Sequence, residues 1–199
     1  MASREEAHMD QTTPDLPVPL RADVSELLNA RLADSMDRVL VHGAAGGGFA
    51  VQLARWREAT VIGTASAHNA AFVHGLGADE VIDYWAVRFE DIVHGIDVVF
   101  DTVGGETLDR SWGVLKPGGR LVTIAASVEG SPDPCTREAF FIVRPDRGQL
   151  NEITRLIDAA QLRPVVDCVF PLAQARQAFE HKPTRGKVVL SAADGEGAQ

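Results

Sequence analysis

The chain has 199 residues, of which 19 are lysine or arginine and 28 are aspartate or glutamate, for a formal charge of −9. That acidic balance argues against non-specific nucleic-acid binding, which needs a basic surface to neutralise phosphates. With 45% hydrophobic and 24% charged residues, the composition is that of a globular domain rather than a disordered chain. No apolar run approaches the roughly 20 residues of a membrane span, and two cysteines, Cys135 and Cys168, leave no room for a disulfide framework or a four-ligand zinc site. The charged N-terminus, MASREEAHMD, lacks the apolar stretch of a secretory signal, so a reduced cytoplasmic setting is expected.

Residues 1–22 are polar and contain Pro14, Pro17 and Pro19, which reads as a flexible arm. Asp23 suits the N-cap of a helix from Val24 to about Ala33, with Leu27, Leu28 and Leu32 on one face. Val39 to Val41 is a short apolar run ending at Gly43, and is expected to be a buried strand. Phe49 to Trp56 carries apolar residues at helical spacing. Strands are then expected at Thr60–Gly63, Glu80–Ile82, Ile96–Phe100, Arg120–Ala125 and Ala139–Val143. Helices are expected at Ala67–Leu76, Val87–Val93, Thr107–Leu115 and Gln149–Ala160. The Pro117-Gly118-Gly119 run marks a turn. Val165–Phe170 and Lys187–Leu190 read as two last strands, joined by a helix over Leu172–Phe179. Short continuous apolar strands alternating with helices point to a doubly wound parallel sheet in three αβα layers. The division expected is an arm (1–22), a Rossmann-like domain (23–162), a strand–helix–strand appendage (163–191) and a tail (192–199).

The first strand runs into His42-Gly43-Ala44-Ala45-Gly46-Gly47-Gly48 and then a helix. A glycine-rich turn in that position lets backbone approach a pyrophosphate, with free N–H groups offered by the helix start. The bland alternative is a tight turn without a ligand.

The stretches VLVHGAAGG, FAVQLAR, ATVIGTAS, LGADEVIDY, DVVFDTVGGETLDRSWGVLKPGGRLVTIAA and FPLAQARQAFEHKPTRGKVVL resemble the zinc-independent medium-chain dehydrogenase/reductases, that is, the NADPH-dependent quinone oxidoreductases and enoyl reductases. The resemblance runs from about Asp37 to Leu190. It implies a Rossmann-like domain and hydride transfer from NADPH to a quinone or an activated C=C bond. It further implies that Gly43, Ala45, Gly46, Gly47 and Gly48 hold the pyrophosphate. Ser66 and His68 would lie near the adenosine ribose and its phosphate. Thr102, Val103, Gly104 and Ala125 would flank the nicotinamide side. The family also dimerises through the strand matching Ala139–Val143, so a homodimer is expected.

Three departures from the family pattern bear on NADPH. About 37 residues precede the first strand, too few for the N-terminal domain that supplies much of the family's substrate pocket, so a truncated member is expected. The resembling turn reads G-A-A-G-G-V-G, then a small residue and F-A-V-Q-L-A, whereas this chain passes from Gly47 through Gly48 directly to Phe49; two residues, most simply a Val-Gly pair, are absent, so the first helix would start later or be drawn inward by Phe49 and Leu53. Finally, Ser66-Ala67-His68-Asn69 lacks the basic residue that would pair with a 2′-phosphate.

Three functions therefore stay open: a truncated quinone or enoyl reductase, a non-redox enzyme (cyclase, isomerase or lyase) using the crevice for a small organic substrate, or an accessory subunit of a reductase. For proton transfer the polar candidates are His42 and Asp101, at the ends of the first and fourth strands, and Glu129 beyond the fifth. Their bland readings are a turn histidine bonded to backbone, a carboxylate accepting N–H groups of its own turn, and a solvated loop glutamate. His68, His74, His94 and His181 share no metal-ligand spacing, so no metal site is expected. Cys168 alternates with Val166 and Phe170 and reads as a core thiol.

Overall fold

The computed structural model describes residues 37–125, 132–140, 145–183 and 185–192. Five parallel strands form the central sheet: β1 (Arg38–Val41), β2 (Thr60–Ala65), β3 (Glu80–Asp83), β4 (Ile96–Asp101) and β5 (Leu115–Thr123), in the order β3-β2-β1-β4-β5. Between them run α1 (Gly48–Trp56), α2 (Ala67–Gly75) and α3 (Glu106–Ser111). The order reverses at β1, which is hydrogen-bonded to β2 on one side and β4 on the other. A crevice therefore opens at the carboxyl ends of β1 and β4, where ligands of doubly wound sheets sit.

Strand alternation sorts the core into two layers. Val39, Val41, Val61 and Ala65 face α1 and α2 with Val51, Ala54 and Val73. Leu40, Ile62, Ile82 and Val99 face the other way, with Phe89, Val93, Leu108 and Val114. The central strands β1, β2 and β4 contribute to both layers, which is why they read as near-continuous apolar runs rather than alternating ones. The doubly wound parallel fold expected from the sequence is the one observed.

Several boundaries differ from expectation. Only Phe89–Asp91 coils in the Val87–Val93 stretch, as one 3-10 turn. The helix expected over Thr107–Leu115 ends at Ser111 and tightens into a 3-10 turn at Trp112–Val114. Pro117-Gly118-Gly119 is a bulge inside β5, because Ile96 pairs with Leu115 and Val98 with Arg120. Beyond β5, α4 (Pro134–Ala139) and α5 (Arg147–Asp158) begin at Asp133 and Asp146. Those carboxylates accept the N–H groups of Thr136 and Gln149, the usual N-cap arrangement. Of the expected Ala139–Val143 strand, Ala139 closes α4 and Phe140 forms one parallel bridge to Thr123. Residues 141–143, the helix expected at 24–33 and the arm at 1–22 lie outside the described residues.

The last two strands pair with each other. β6 (Val166–Pro171) and β7 (Lys187–Ser191) form a separate parallel pair, linked by a 3-10 turn at Leu172–Gln174 and α6 (Ala175–Glu180). Gln52 of α1 ties this unit to the sheet domain. Its side chain donates to the carbonyls of Gly48 and Arg163 and accepts the Arg163 N–H at 2.9 Å. No helix among the described residues is long and apolar enough to cross a membrane.

Candidate functional site

The turn after β1 is drawn tight by its own backbone. Gly43 has φ +66°, the left-handed region that favours glycine. Its carbonyl accepts the N–H groups of Gly46 (2.8 Å) and Gly47 (2.9 Å). A Cβ on Gly43 would meet Thr102 Oγ1 at 2.5 Å, so the β1 and β4 turns touch here. Gly47 caps α1 and Gly48 is its first residue; the Ala50 N–H donates to the Gly47 carbonyl at 2.9 Å, and the N–H groups of Gly48 and Phe49 stand at the open helix start.

The buried face of α1 differs from the one expected. Gly48, Val51, Gln52 and Ala54 pack inward, while Phe49 is 41% exposed and Leu53 is half-buried. The sequence-based expectation that Phe49 and Leu53 draw the helix in is corrected. A helix entered at Gly48 turns Val51 toward the sheet instead, and Gly48 approaches Leu76 so closely that a Cβ would sit 3.0 Å from it. Beside the turn lies a shallow, open depression lined in part by Gly46, Gly48, Phe49, Arg163 and Lys187. No Cβ covers the turn at Gly46, where the nearest atom to a Cβ is the Gly43 carbonyl at 3.5 Å. A bare glycine surface, a helix start and two basic residues fit a dinucleotide's phosphates. However, two of the turn's N–H groups are already spent on Gly43.

His42 does not face the crevice. Alternation from Leu40 turns it into the second core layer, where it is 1% exposed. Nδ1 lies 3.1 Å from Thr64 Oγ1 and Nε2 lies 2.9 Å from Ser111 Oγ. The Phe89 ring stands edge-on at 4.5 Å. Burial pushes its pKa down to about 4, against the opposing pull of Asp101. The imidazole is thus held neutral, bonded to side chains rather than to the backbone. A proton-transfer role at the crevice is not compatible with this position.

Asp101 is likewise fully buried, at 0% exposure. Its carboxylate accepts the N–H groups of Val103 and Gly104 and the Thr123 hydroxyl at 2.7 Å. Its oxygens serve the turn and the neighbouring strand, leaving no exposed base. Thr102 Oγ1 donates to the His42 carbonyl at 2.9 Å. Val103 projects outward and Gly104 is buried. Ala125, past β5, gives its N–H to Thr123 Oγ1. Thr102, Val103, Gly104 and Ala125 therefore do converge on the carboxyl ends of β4 and β5. Glu129 lies outside the described residues.

At the end of β2, Ser66 precedes α2 and accepts a 3.4 Å contact from Asn69 Nδ2. His68 is exposed. The cation missing from this segment arrives from far along the chain. Arg185 donates Nε to Asn69 Oδ1 and Nη2 to the His68 carbonyl, both at 3.0 Å. Its guanidinium lies over Phe72 at 5.2 Å. Nothing local signals Arg185, because 116 residues separate it from Asn69. Thr64, Ser111 and Thr123 lie on elements other than those of His42 and Asp101, so no spacing in the sequence signals that they bond these two residues.

A zinc-binding dehydrogenase family model matches residues 76–190. The chain is 30% identical over 184 residues to an NADPH-dependent alkenal/one oxidoreductase of Arabidopsis thaliana, covering 88% of this chain and 45% of that protein. It is 33% identical to a 2-haloacrylate reductase of Burkholderia sp., covering 77% of this chain and 55% of that one. The quinone oxidoreductase structure from Coxiella burnetii superposes with a TM-score of 0.73 at 30% identity, covering 84% of this chain and 56% of that one. The chain thus spans about half the length of the curated relatives it matches.

Proposed function

Because this chain belongs to the zinc-binding dehydrogenase family, as a quinone-oxidoreductase- and enoyl-reductase-like medium-chain member, we propose that it carries the cofactor-binding fold of a reductase that moves hydride from NADPH to a quinone or an activated C=C bond. The observation that carries the reading is Arg185. It brings a guanidinium to the Ser66–Asn69 segment, where an NADPH 2′-phosphate would need one.

In this reading the bare backbone of Gly46 lets the pyrophosphate approach and the N–H groups of Gly48 and Phe49 at the start of α1 hold it, with Arg163 and Lys187 adding positive charge beside it. Ser66, His68 and Arg185 receive the adenosine ribose phosphate. Thr102, Val103, Gly104 and Ala125 flank the nicotinamide, which when bound supplies the hydride. Asp101 and His42 are positioning residues. Asp101 holds the β4 turn against β5, and neutral His42 fixes β1, β2 and α3 below the crevice. Two free thiols suit the reducing cytoplasm, and a homodimer joined near Phe140 is the assembly we propose.

The test is a titration of the purified chain with NADPH by fluorescence or calorimetry. Saturable micromolar binding supports the reading. No binding at millimolar NADPH overturns it and leaves the non-redox and accessory-subunit alternatives.

A further inference from the structure

We propose that Asp167, Cys168 and His181 form a binding site for a thiophilic divalent cation, with Zn²⁺ as the fitting ion. This site is separate from the crevice and independent of the cofactor reading. The three side chains each place a ligating atom within 4.8 Å of the other two. Sequence spacing hides the group, and two local features assemble it.

The first feature is the irregular start of β6. Val166 pairs with Lys187 and Cys168 with Val188, so Asp167 is an extra residue in the ladder. In a regular strand Asp167 and Cys168 would point to opposite faces. The bulge re-aims them, so that both approach His181 and the Cys168 thiol is not the core residue that alternation suggests. The second feature is the end of α6. His181 closes that helix by giving its N–H to the Gln177 carbonyl at 2.9 Å. Its ring is steadied by Phe170, 5.8 Å away between centroids, and its Nε2 lies 2.7 Å from Asp167 Oδ2.

Asp167 is held below the usual carboxylate range chiefly by its hydrogen bond to His181, while burial and then Asp167 push the Cys168 thiol up. A bound dication reverses the latter effect, because a coordinating thiol is deprotonated outright. In the bound state Cys168 would ligate as the thiolate and His181 through Nε2, the ring nitrogen that faces Asp167. Tetrahedral zinc sets its ligand atoms about 3.5 Å apart. The Asp167–His181 contact, at 2.7 Å, must open by under an ångström, and a pair as far apart as the 4.8 Å limit must close by about 1.3 Å. A mixed sulfur, nitrogen and oxygen set favours zinc over magnesium or calcium, and water completes four-coordination at this solvent-accessible position.

The unit has reason to need a staple. It is a two-stranded sheet with one short helix, and such pairs are marginal alone. Much of its apolar surface is open, with Phe179 87% exposed and Val166, Val169 and Leu172 exposed as well. A cation joining β6 to the end of α6 would hold the unit closed.

The experiment is titration of the chelator-stripped, tag-free chain with Co²⁺, read by thiolate-to-cobalt charge-transfer absorption and followed by displacement with Zn²⁺. One equivalent should bind. Cys168→Ser should remove the band, and His181→Gln and Asp167→Asn should each weaken binding at least tenfold, with far-UV circular dichroism unchanged. Cys135→Ser should leave the band intact. The proposal is overturned if the chain binds Co²⁺ no more tightly than a Cys168→Ser/His181→Gln double variant, or if Cys135→Ser removes the band.

Discussion

Thr123 donates its hydroxyl hydrogen to Asp101 Oδ2 at 2.7 Å, and neither residue has any exposed surface. The bond joins the last residues of β4 and β5, which are also register partners in the sheet. It sets the separation of the two strand ends that border the crevice.

Asp101→Asn replaces one acceptor oxygen by a donor facing N–H groups that need acceptors. It should cost about 1–3 kcal/mol in urea unfolding, and Thr123→Val about 1 kcal/mol. Both should also weaken NADPH binding, because the β4 turn loses its anchor. Full retention of stability by Asp101→Asn would show that the turn holds itself.

His42 makes stability depend on pH. Its folded pKa is lowered to about 4 from 6.5 by burial, so between those values the unfolded chain binds a proton that the folded chain refuses. The stabilisation is complete above pH 6.5 and is lost as pH falls toward 4, by at most about 3 kcal/mol. Urea midpoints across that range should fall more steeply for the wild type than for His42→Gln. Parallel slopes would refute this assignment.

Gly63 in β2 has no room for a side chain. A Cβ there would lie 2.9 Å from both Ala44 Cβ and Val73 Cγ1, so α2 and the glycine turn press directly on the strand. Gly63→Ala should destabilise by about 1–3 kcal/mol through overpacking, as a lower thermal midpoint will report.

Arg185→Ala tests cofactor choice. A lost charge-assisted pair with a 2′-phosphate predicts NADPH binding weakened about tenfold or more, with NADH binding little changed. Equal losses for both cofactors would instead make Arg185 a structural clamp on α2.

The alternation of apolar runs and helical periods from Val39 to Leu121 carried the doubly wound fold, because period and burial are local properties of each segment. The glycine turn was legible for the same reason, since only glycine serves where backbone must stay bare. Helix ends were less legible. Ser111 ends α3 within a stretch that reads as one helix continuing to Leu115, since tertiary packing decides where a turn tightens.

Side-chain direction and long-range partners were not written in any one segment. His42 was legible as a strand-end histidine, but its core position depends on Ser111, 69 residues away. Arg185 reaches the segment that lacked a cation, and His181 reaches Asp167 and Cys168, only because β6 and β7 pair and α6 folds between them. The sequence by itself determined the architecture and the place of the crevice, through periodicity and glycine chemistry. The tertiary structure alone decided which polar groups meet, because contact between distant residues is set by how the elements pack.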